Sequence, residues 1–260
     1  MSAEVTVPES LSGLVSEVTV LAADGRGPAQ PLVHLPDAGT SLIFRTTPAG
    51  RGDLLVIGPR TRASYHVGKD LPFCLRLRLR PGAARPLLGV PVSELVDRVA
   101  GLEELWDGST AALTDALTAA GRDPRRVLAR LGTALAERIE RRSAGDETRG
   151  ELVRAAAEAL DGRTGRREPV PAIARRLAVS ERHLRGLFED GVGLPPKRFE
   201  RIGRVREVLA RGGRRRQGWA QVAVASGYYD QSHMAAEFRR LMGVTPVAFF
   251  AGRLPAPHTC

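Results

Sequence analysis

Gly227-Tyr228-Tyr229-Asp230-Gln231-Ser232-His233-Met234, continued by Phe238-Arg239-Arg240-Leu241-Met242-Gly243-Val244-Thr245-Pro246, is the stretch on which the reading of this 260-residue chain turns. A short helix over residues 219–226 breaks at Gly227. A second helix follows over about residues 231–242, Gly243 stops it, and Pro246 opens the next. Glycine just past a helix end and proline in a first turn are the expected punctuation. The same order stands upstream. Residues 171–177 make a short helix with Ile173, Ala174 and Leu177, and Ala178-Val179 turn the chain. Ser180 caps a helix reaching about Asp190, which Gly191 and Gly193 end. Pro195-Pro196 opens a long helix over residues 197–211, and the loop Gly212-Gly213-Arg214-Arg215-Arg216 leads into the second copy.

A short helix, a tight turn and a capped second helix form the geometry in which one helix braces another. The braced helix then enters the major groove of DNA with its N-terminal turns. Ala174 and Ala178, and again Ala223 and Gly227, are small enough for the paired helices to approach closely. Leu184, Leu187 and Phe188, with Met234 and Phe238 in the second copy, stand where they fasten each reading helix to a core.

These residues resemble the signature of the AraC/XylS family of transcriptional regulators. The second copy carries the likeness in residues 227–234 and 238–246. The first carries it in Ile173-Ala174, Val179-Ser180, Leu184, Leu187-Phe188, Gly193 and Pro196-Lys197-Arg198-Phe199. The resemblance covers about residues 148–252. It implies a double helix-turn-helix module that binds double-stranded DNA, with RNA polymerase admitted as a further partner. Upstream, Leu35-Pro36-Asp37, Gly58-Pro59-Arg60, Arg80-Pro81-Gly82-Ala83 and Leu88-Gly89-Val90-Pro91 resemble an uncharacterised sensor-like domain. That domain precedes the module in some actinobacterial members, and the resemblance implies no ligand.

Carried over position by position, the exposed face of the first reading helix offers Glu181, Arg182, Arg185 and Gly186. Arg182 and Arg185 share one helical face, and arginine donates two bonds to guanine O6 and N7. Both are expected base readers, with Glu181 beside them. In the second copy Asp230, Gln231, Ser232, Ala235 and Ala236 occupy the matching face. Gln231, Ser232 and Ala235 are expected at bases, Gln231 reading adenine or donating to a phosphate. Ser180, Lys197, Arg201, Arg204, Arg206, Arg214, Arg215, Arg216 and Arg239 are expected on phosphates, which position a protein without specifying sequence. Gly186 and Ala236 depart from the family by standing where many relatives present a long polar or basic side chain. The second copy is therefore expected to read DNA weakly, or through backbone and shape. His183 and His233 are expected as structural residues, Tyr228 as core and Trp219 as packing.

The charge distribution agrees with this reading. Of a net charge of +10, residues 151–260 hold 20 basic and 11 acidic side chains, whereas residues 1–150 hold 19 and 18. Clustered basicity suggests a polyanionic partner. Only Lys69 and Lys197 are lysines, a bias toward arginine that resembles GC-rich coding. Such a bias raises arginine everywhere and does not leave one half nearly neutral.

The N-terminal half reads differently. Residues 14–80 are β-rich, with short apolar runs at 41–44, 54–57 and 63–67 bounded by Pro36-Asp37, Pro48-Ala49-Gly50 and Gly58-Pro59. Residues 73–80 alternate strictly, with Leu75, Leu77 and Leu79 on one face and arginines on the other. That is a half-buried strand with a solvated outer face. Residues 93–105 are expected to be helical from the spacing of Leu95, Val96, Val99, Leu102 and Leu105, and helices continue over 110–120 and 124–142. The polar run Ser143-Ala144-Gly145-Asp146 marks a boundary.

The expected architecture is an α+β domain over residues 1–145, a small β-rich barrel or sheet at 14–80 plus helices at 93–142. An all-α double helix-turn-helix domain follows at 146–252, with a tail at 253–260. No run of 18 apolar residues suggests a membrane span, and the acidic N-terminus lacks a secretory pattern. The expected location is the cytoplasm. Two cysteines, Cys74 and Cys260, cannot build a disulfide framework or a four-thiolate zinc site. No cofactor and no metal are expected. An enzyme built on His34, His66 and Cys74 finds no support in their spacing, and no catalytic residue is assigned. Phe44, Tyr65, Phe73 and Trp106 are candidates to line an apolar pocket, although aromatics in short strands are usually core. Two alternatives stay open for this half: sensing a small-molecule effector, or only forming a homodimer or partner contact. A nonspecific architectural DNA binder depends on backbone charge and has no need of two braced reading helices.

Overall fold

The computed structural model describes residues 2–21, 31–67, 71–106, 110–140, 144–161, 167–213 and 218–258. In chain order its strands are β1 (Ser2–Val5), β2 (Val15–Leu21), β3 (Pro31–His34), β4 (Ser41–Thr46), β5 (Gly52–Ile57), β6 (Ser64–Val67), β7 (Phe73–Leu79) and β8 (Val99–Gly101). Its α-helices begin with α1 (Ala84–Leu88), α2 (Thr110–Ala119), α3 (Pro124–Glu140), α4 (Ala144–Asp161) and α5 (Val170–Arg176). They continue as α6 (Glu181–Val192), α7 (Pro196–Gly212), α8 (Trp219–Ala225), α9 (Gln231–Met242) and α10 (Pro246–Phe250). Helices and strands divide into two compact units.

The first unit holds a six-stranded antiparallel sheet in the order β1-β2-β7-β4-β5-β8, together with α1 to α6. β7 is central because its alternation serves two neighbours at once. Leu77 pairs with Val18 on β2 and with Leu42 on β4, and all three are buried. Leu75, Leu79, Phe44 and Val56 share the packed face, covered by Leu117 of α2 and by Val127, Leu128, Leu131 and Leu135 of α3. Each buried leucine contributes about 1.5–3 kcal/mol of apolar transfer free energy. The opposite face carries Arg76 and Arg78, half-buried rather than fully solvated. The Arg76 Nε donates to the Ser41 hydroxyl at 3.1 Å.

The helix expected over residues 93–105 does not form. A 3-10 turn spans Val92–Leu95, β8 pairs with β5, and a second 3-10 turn spans Leu102–Glu104. Asp97 sits at φ 58, which an α-helix does not admit. The β5 edge supplies the better partner: the Gly58 N–H donates to the Arg98 carbonyl at 3.1 Å. Helical spacing of Leu95, Val99 and Leu102 thus coincides with burial of turn residues and with a β-branched edge strand. Of the run Ser143-Ala144-Gly145-Asp146, Ser143 lies outside the described residues and α4 begins at Ala144.

The second unit holds α7 to α10 and a two-stranded antiparallel ribbon of β3 and β6, in register from Pro31 opposite Val67 to His34 opposite Ser64. Past the ribbon, Asp37 and Arg60 exchange backbone hydrogen bonds of 2.9 and 2.7 Å. The helical core is Ile202, Val205 and Val208 of α7, Val222 and Ala223 of α8, and Met234, Phe238, Leu241 and Met242 of α9. Phe249 closes it, its ring 5.9 Å from that of Phe238 in an edge-on contact.

Candidate nucleic-acid interface

In the first unit α6 is the second helix of a helix-turn-helix, with α5 before it. Ala178 makes the turn at φ 55. Ser180 caps α6, its hydroxyl accepting from the His183 N–H at 3.1 Å. Leu184, Leu187 and Phe188 are buried, and Glu181, Arg182, His183, Arg185 and Gly186 are exposed. The structure therefore brings the expected base readers of this helix onto one open face. Arg185 is held by Glu181 at 3.1 Å, both side chains about half exposed. A Cβ on Gly186 would meet nothing within 4 Å, so the face is flat there. Gly193 ends the helix at φ 85, its N–H on the Glu189 carbonyl at 2.8 Å. A Cβ at Gly193 would stand 2.8 Å from the Val92 carbonyl, so only glycine fits this junction. Near the same end, Asp190 and Asp146 flank Arg85 of α1, each at 3.6 Å.

The second unit repeats the device. Asp230 caps α9, accepting from the His233 N–H at 2.7 Å, and Gly243 ends it at φ 76. Met234, Glu237 and Phe238 are buried where α6 has Leu184, Leu187 and Phe188. Gln231, Ser232, His233 and Ala236 are exposed and Ala235 is half-buried. The His233 ring packs edge-on to Tyr228 at 5.3 Å, and Tyr228 is core, as expected. Trp219 packs on Phe250 with ring centroids 5.5 Å apart. Tyr229, just before the cap, is 91% exposed and was not singled out by sequence reasoning.

The expected phosphate contacts separate into distinct groups. Lys197 and Arg239 are exposed. Ser180 is engaged as a helix cap, which leaves its other lone pair and its proton open. Arg201 and Arg204 turn inward to Glu237, at 2.7 and 3.1 Å. Arg206 lies 3.4 Å from Asp37 and donates to the Pro36 carbonyl at 3.3 Å. Arg214, Arg215 and Arg216 lie outside the described residues.

Glu237 was not identified from the sequence. Its place in the stripe of Met234, Phe238 and Leu241 was the available signal. Burial alone would raise its carboxyl pKa. Hydrogen bonds from Arg201, Arg204 and the Tyr228 hydroxyl, with the Arg204 charge, hold it below the ordinary carboxylate value instead. Burial first, then the Glu237 charge, pushes the Tyr228 hydroxyl up.

The ribbon supplies further partners to α9. The Ala63 N–H donates to the Leu241 carbonyl at 2.7 Å, and the Tyr65 hydroxyl to the Met242 carbonyl at 2.6 Å. These are carbonyls of the last helical turn, which has no partners of its own. The four aromatics considered for a pocket are packing residues. Phe44, Phe73 and Trp106 belong to the sheet unit's core, and Tyr65 belongs to the ribbon. Cys74 is buried in the sheet, where burial raises its thiol to about 11. His34 and His66 face each other across the ribbon at 5.1 Å. Among the described residues no group of three or more metal-ligating side chains occurs.

Residues 173–252 match a family described as a helix-turn-helix domain, and residues 3–101 match a domain of unknown function, DUF6597. No curated protein matches the chain. Among solved structures, the DNA-binding domain of AdpA, a global transcriptional factor crystallised with a target DNA, is similar at 24% identity. The likeness covers 40% of this chain and 91% of that one, with a TM-score of 0.34. A probable AraC family regulator from Rhodopseudomonas palustris CGA009 is similar at 20% identity over 40% of this chain and 99% of its own, with a TM-score of 0.35. ToxT from Vibrio cholerae O395 is similar at 8% identity over 92% of this chain and 98% of its own, with a TM-score of 0.44.

Proposed function

We propose that this chain, a DNA-binding transcriptional regulator carrying an AraC-type helix-turn-helix domain at residues 173–252, reads operator sequence with two helices, α6 and α9. One observation carries the reading: both helices are side-chain capped at the start, ended by glycine, fastened by buried side chains at matching positions and open on the face between. Arg182 and Arg185 on α6 are the proposed base readers, each able to take a guanine edge. On α9, Gln231 and Ser232 have reach, whereas Ala235 and Ala236 offer only apolar contact. Lys197 and Arg239 are proposed on phosphates. The two helices would enter major-groove segments about one helical turn (~10 bp) apart from a single chain.

The N-terminal residues are proposed to control this module in the cytoplasm. Support comes from β3 and β6, which lie in the chain between strands of the six-stranded sheet and pack in the same unit as α9. An open groove of about 340 Å³ in the sheet unit is walled by Asp53, Glu103, Thr110, Thr114 and Asp115. Small-molecule sites are typically enclosed and mostly apolar, so this groove does not favour effector sensing over homodimer or partner contact. RNA polymerase stands as a further proposed partner.

A selection from random-sequence duplexes with the full chain at physiological salt tests the reading. Two boxes about one helical turn (~10 bp) apart are expected. A single box would leave α9 gripping backbone only, and no enrichment over bulk DNA would overturn the proposal.

A further inference from the structure

Position 237 is a buried position on a reading helix, 7% exposed, and its counterpart on α6 is Leu187 at 8%. The same fold thus accepts an apolar side chain at this place. Removing a carboxylate from water is costly, and a hydrophobic residue of similar size packs without that cost. Glu237 is nevertheless ionic, and it is fully occupied. Arg201 Nε donates to one oxygen at 2.7 Å, while Arg204 Nη2 and the Tyr228 hydroxyl donate to the other at 3.1 and 3.0 Å. The Arg204 guanidinium also stands 5.2 Å over the Tyr228 ring. Both arginines come from α7, and neither is more than a quarter exposed.

An arginine on a phosphate grips any duplex without reading its sequence. A freed guanidinium gains most where α9 has no base contacts to fix its place, so it raises bulk binding more than operator binding. In a segment with 20 basic and 11 acidic residues, that grip is already strong. Resting on the DNA-reading proposal above, we propose that Glu237 is a specificity-determining positioning residue of the second reading unit. It clamps Arg201 and Arg204 against α9 and keeps both guanidinium groups off the DNA backbone.

The test measures affinity of the full chain across a salt series, for a selected operator and for a scrambled duplex of equal length. Wild type is compared with Glu237→Gln, with Glu237→Leu (the residue α6 carries), with Arg201→Gln and Arg204→Gln, and with Arg239→Gln as the phosphate-contact control. Releasing the clamp is expected to steepen the salt slope on scrambled DNA by about one to two, close to 0.9 per phosphate gained. The ratio of operator to scrambled affinity should fall roughly tenfold with it. Arg201→Gln and Arg204→Gln in the native background remove guanidinium groups already held off the duplex, so both should leave the slope and the operator ratio near wild type, whereas Arg239→Gln should flatten the slope by about one. A merely structural role predicts no steepening. Flattening by either α7 variant would overturn the proposal, because those arginines would then already touch phosphate. So would an unchanged slope and ratio in a folded Glu237 variant. If neither Glu237 variant folds, the two α7 variants decide the matter alone. Wild type with no operator preference would instead sink the DNA-reading proposal itself, a separate outcome.

Discussion

The Tyr65 hydroxyl donates a 2.6 Å hydrogen bond to the carbonyl of Met242, 177 residues further along the chain. Tyr65 is 4% exposed and Met242 is fully buried, so the acceptor has no water to fall back on if the donor is lost. Tyr65→Phe should destabilise the chain by about 1–3 kcal/mol, the cost of stranding a buried partner. Denaturant unfolding of the full chain checks this, with an unchanged midpoint removing the ribbon from the support of α9.

Arg185→Ala and Arg182→Ala should each weaken operator binding by about 1–3 kcal/mol and relax preference at one base pair. Arg185 must first leave Glu181, an exposed pair worth little in water. Binding measured on operators mutated one pair at a time separates the outcomes. A loss equal on every sequence would assign that arginine to phosphate.

Phe188 is fully buried in α6. Phe188→Ala should cost about 3–5 kcal/mol through lost transfer energy and the cavity left behind. A melting temperature indistinguishable from wild type would show that α6 does not rest on this ring.

Gly186 lies inside α6, exposed, with nothing within 4 Å of a Cβ. Gly186→Ala should stabilise the chain by up to about 1 kcal/mol, since alanine loses less conformational freedom in a helix interior. Gly186→Arg should add affinity for DNA at low salt. If it does not, the proposed reading face of α6 is turned away from the duplex.

The Glu237 carboxyl is held below its ordinary value in the folded chain. A depressed carboxyl stabilises above its unfolded value of about 4.3 and loses that contribution as pH falls. The unfolding free energies of wild type and Glu237→Gln should therefore differ near neutrality and converge as pH drops from about 5 to 3. Tyr65 and Tyr228 are raised, so their contributions are present below about 10 and fade as pH climbs past it. A stability gap that persists at low pH would mean that the charge of Glu237 does not matter to folding.

The C-terminal helices are legible in the sequence because short-range chemistry marks their ends. Ser180, Gly193, Gly243, Pro196 and Pro246 act within one turn of where they stand. Leu75, Leu77 and Leu79 likewise announce β7 by period alone. Residues 93–105 mislead because Leu95, Val99 and Leu102 are spaced for a helix, while the choice is made by the distant edge of β5. The inward turn of Arg201 and Arg204 depends on a carboxylate more than 30 residues away, which charge counting does not reveal. The departure of β3 and β6 from the main sheet is equally non-local, since each looks like any other strand by composition.

The ribbon sets a limit on treating this chain as interchangeable parts. Residues 195–260, spliced onto a different N-terminal segment as a cassette, would arrive without the donors that Ala63 and Tyr65 give to Leu241 and Met242. Arg206 would arrive without Asp37. Kinship among such proteins, traced through the C-terminal segment alone, would overlook two short stretches near the start of the chain that must change in step with it. Recombination in a lineage carrying this ribbon is expected to preserve those stretches together with α9, or to replace all three at once.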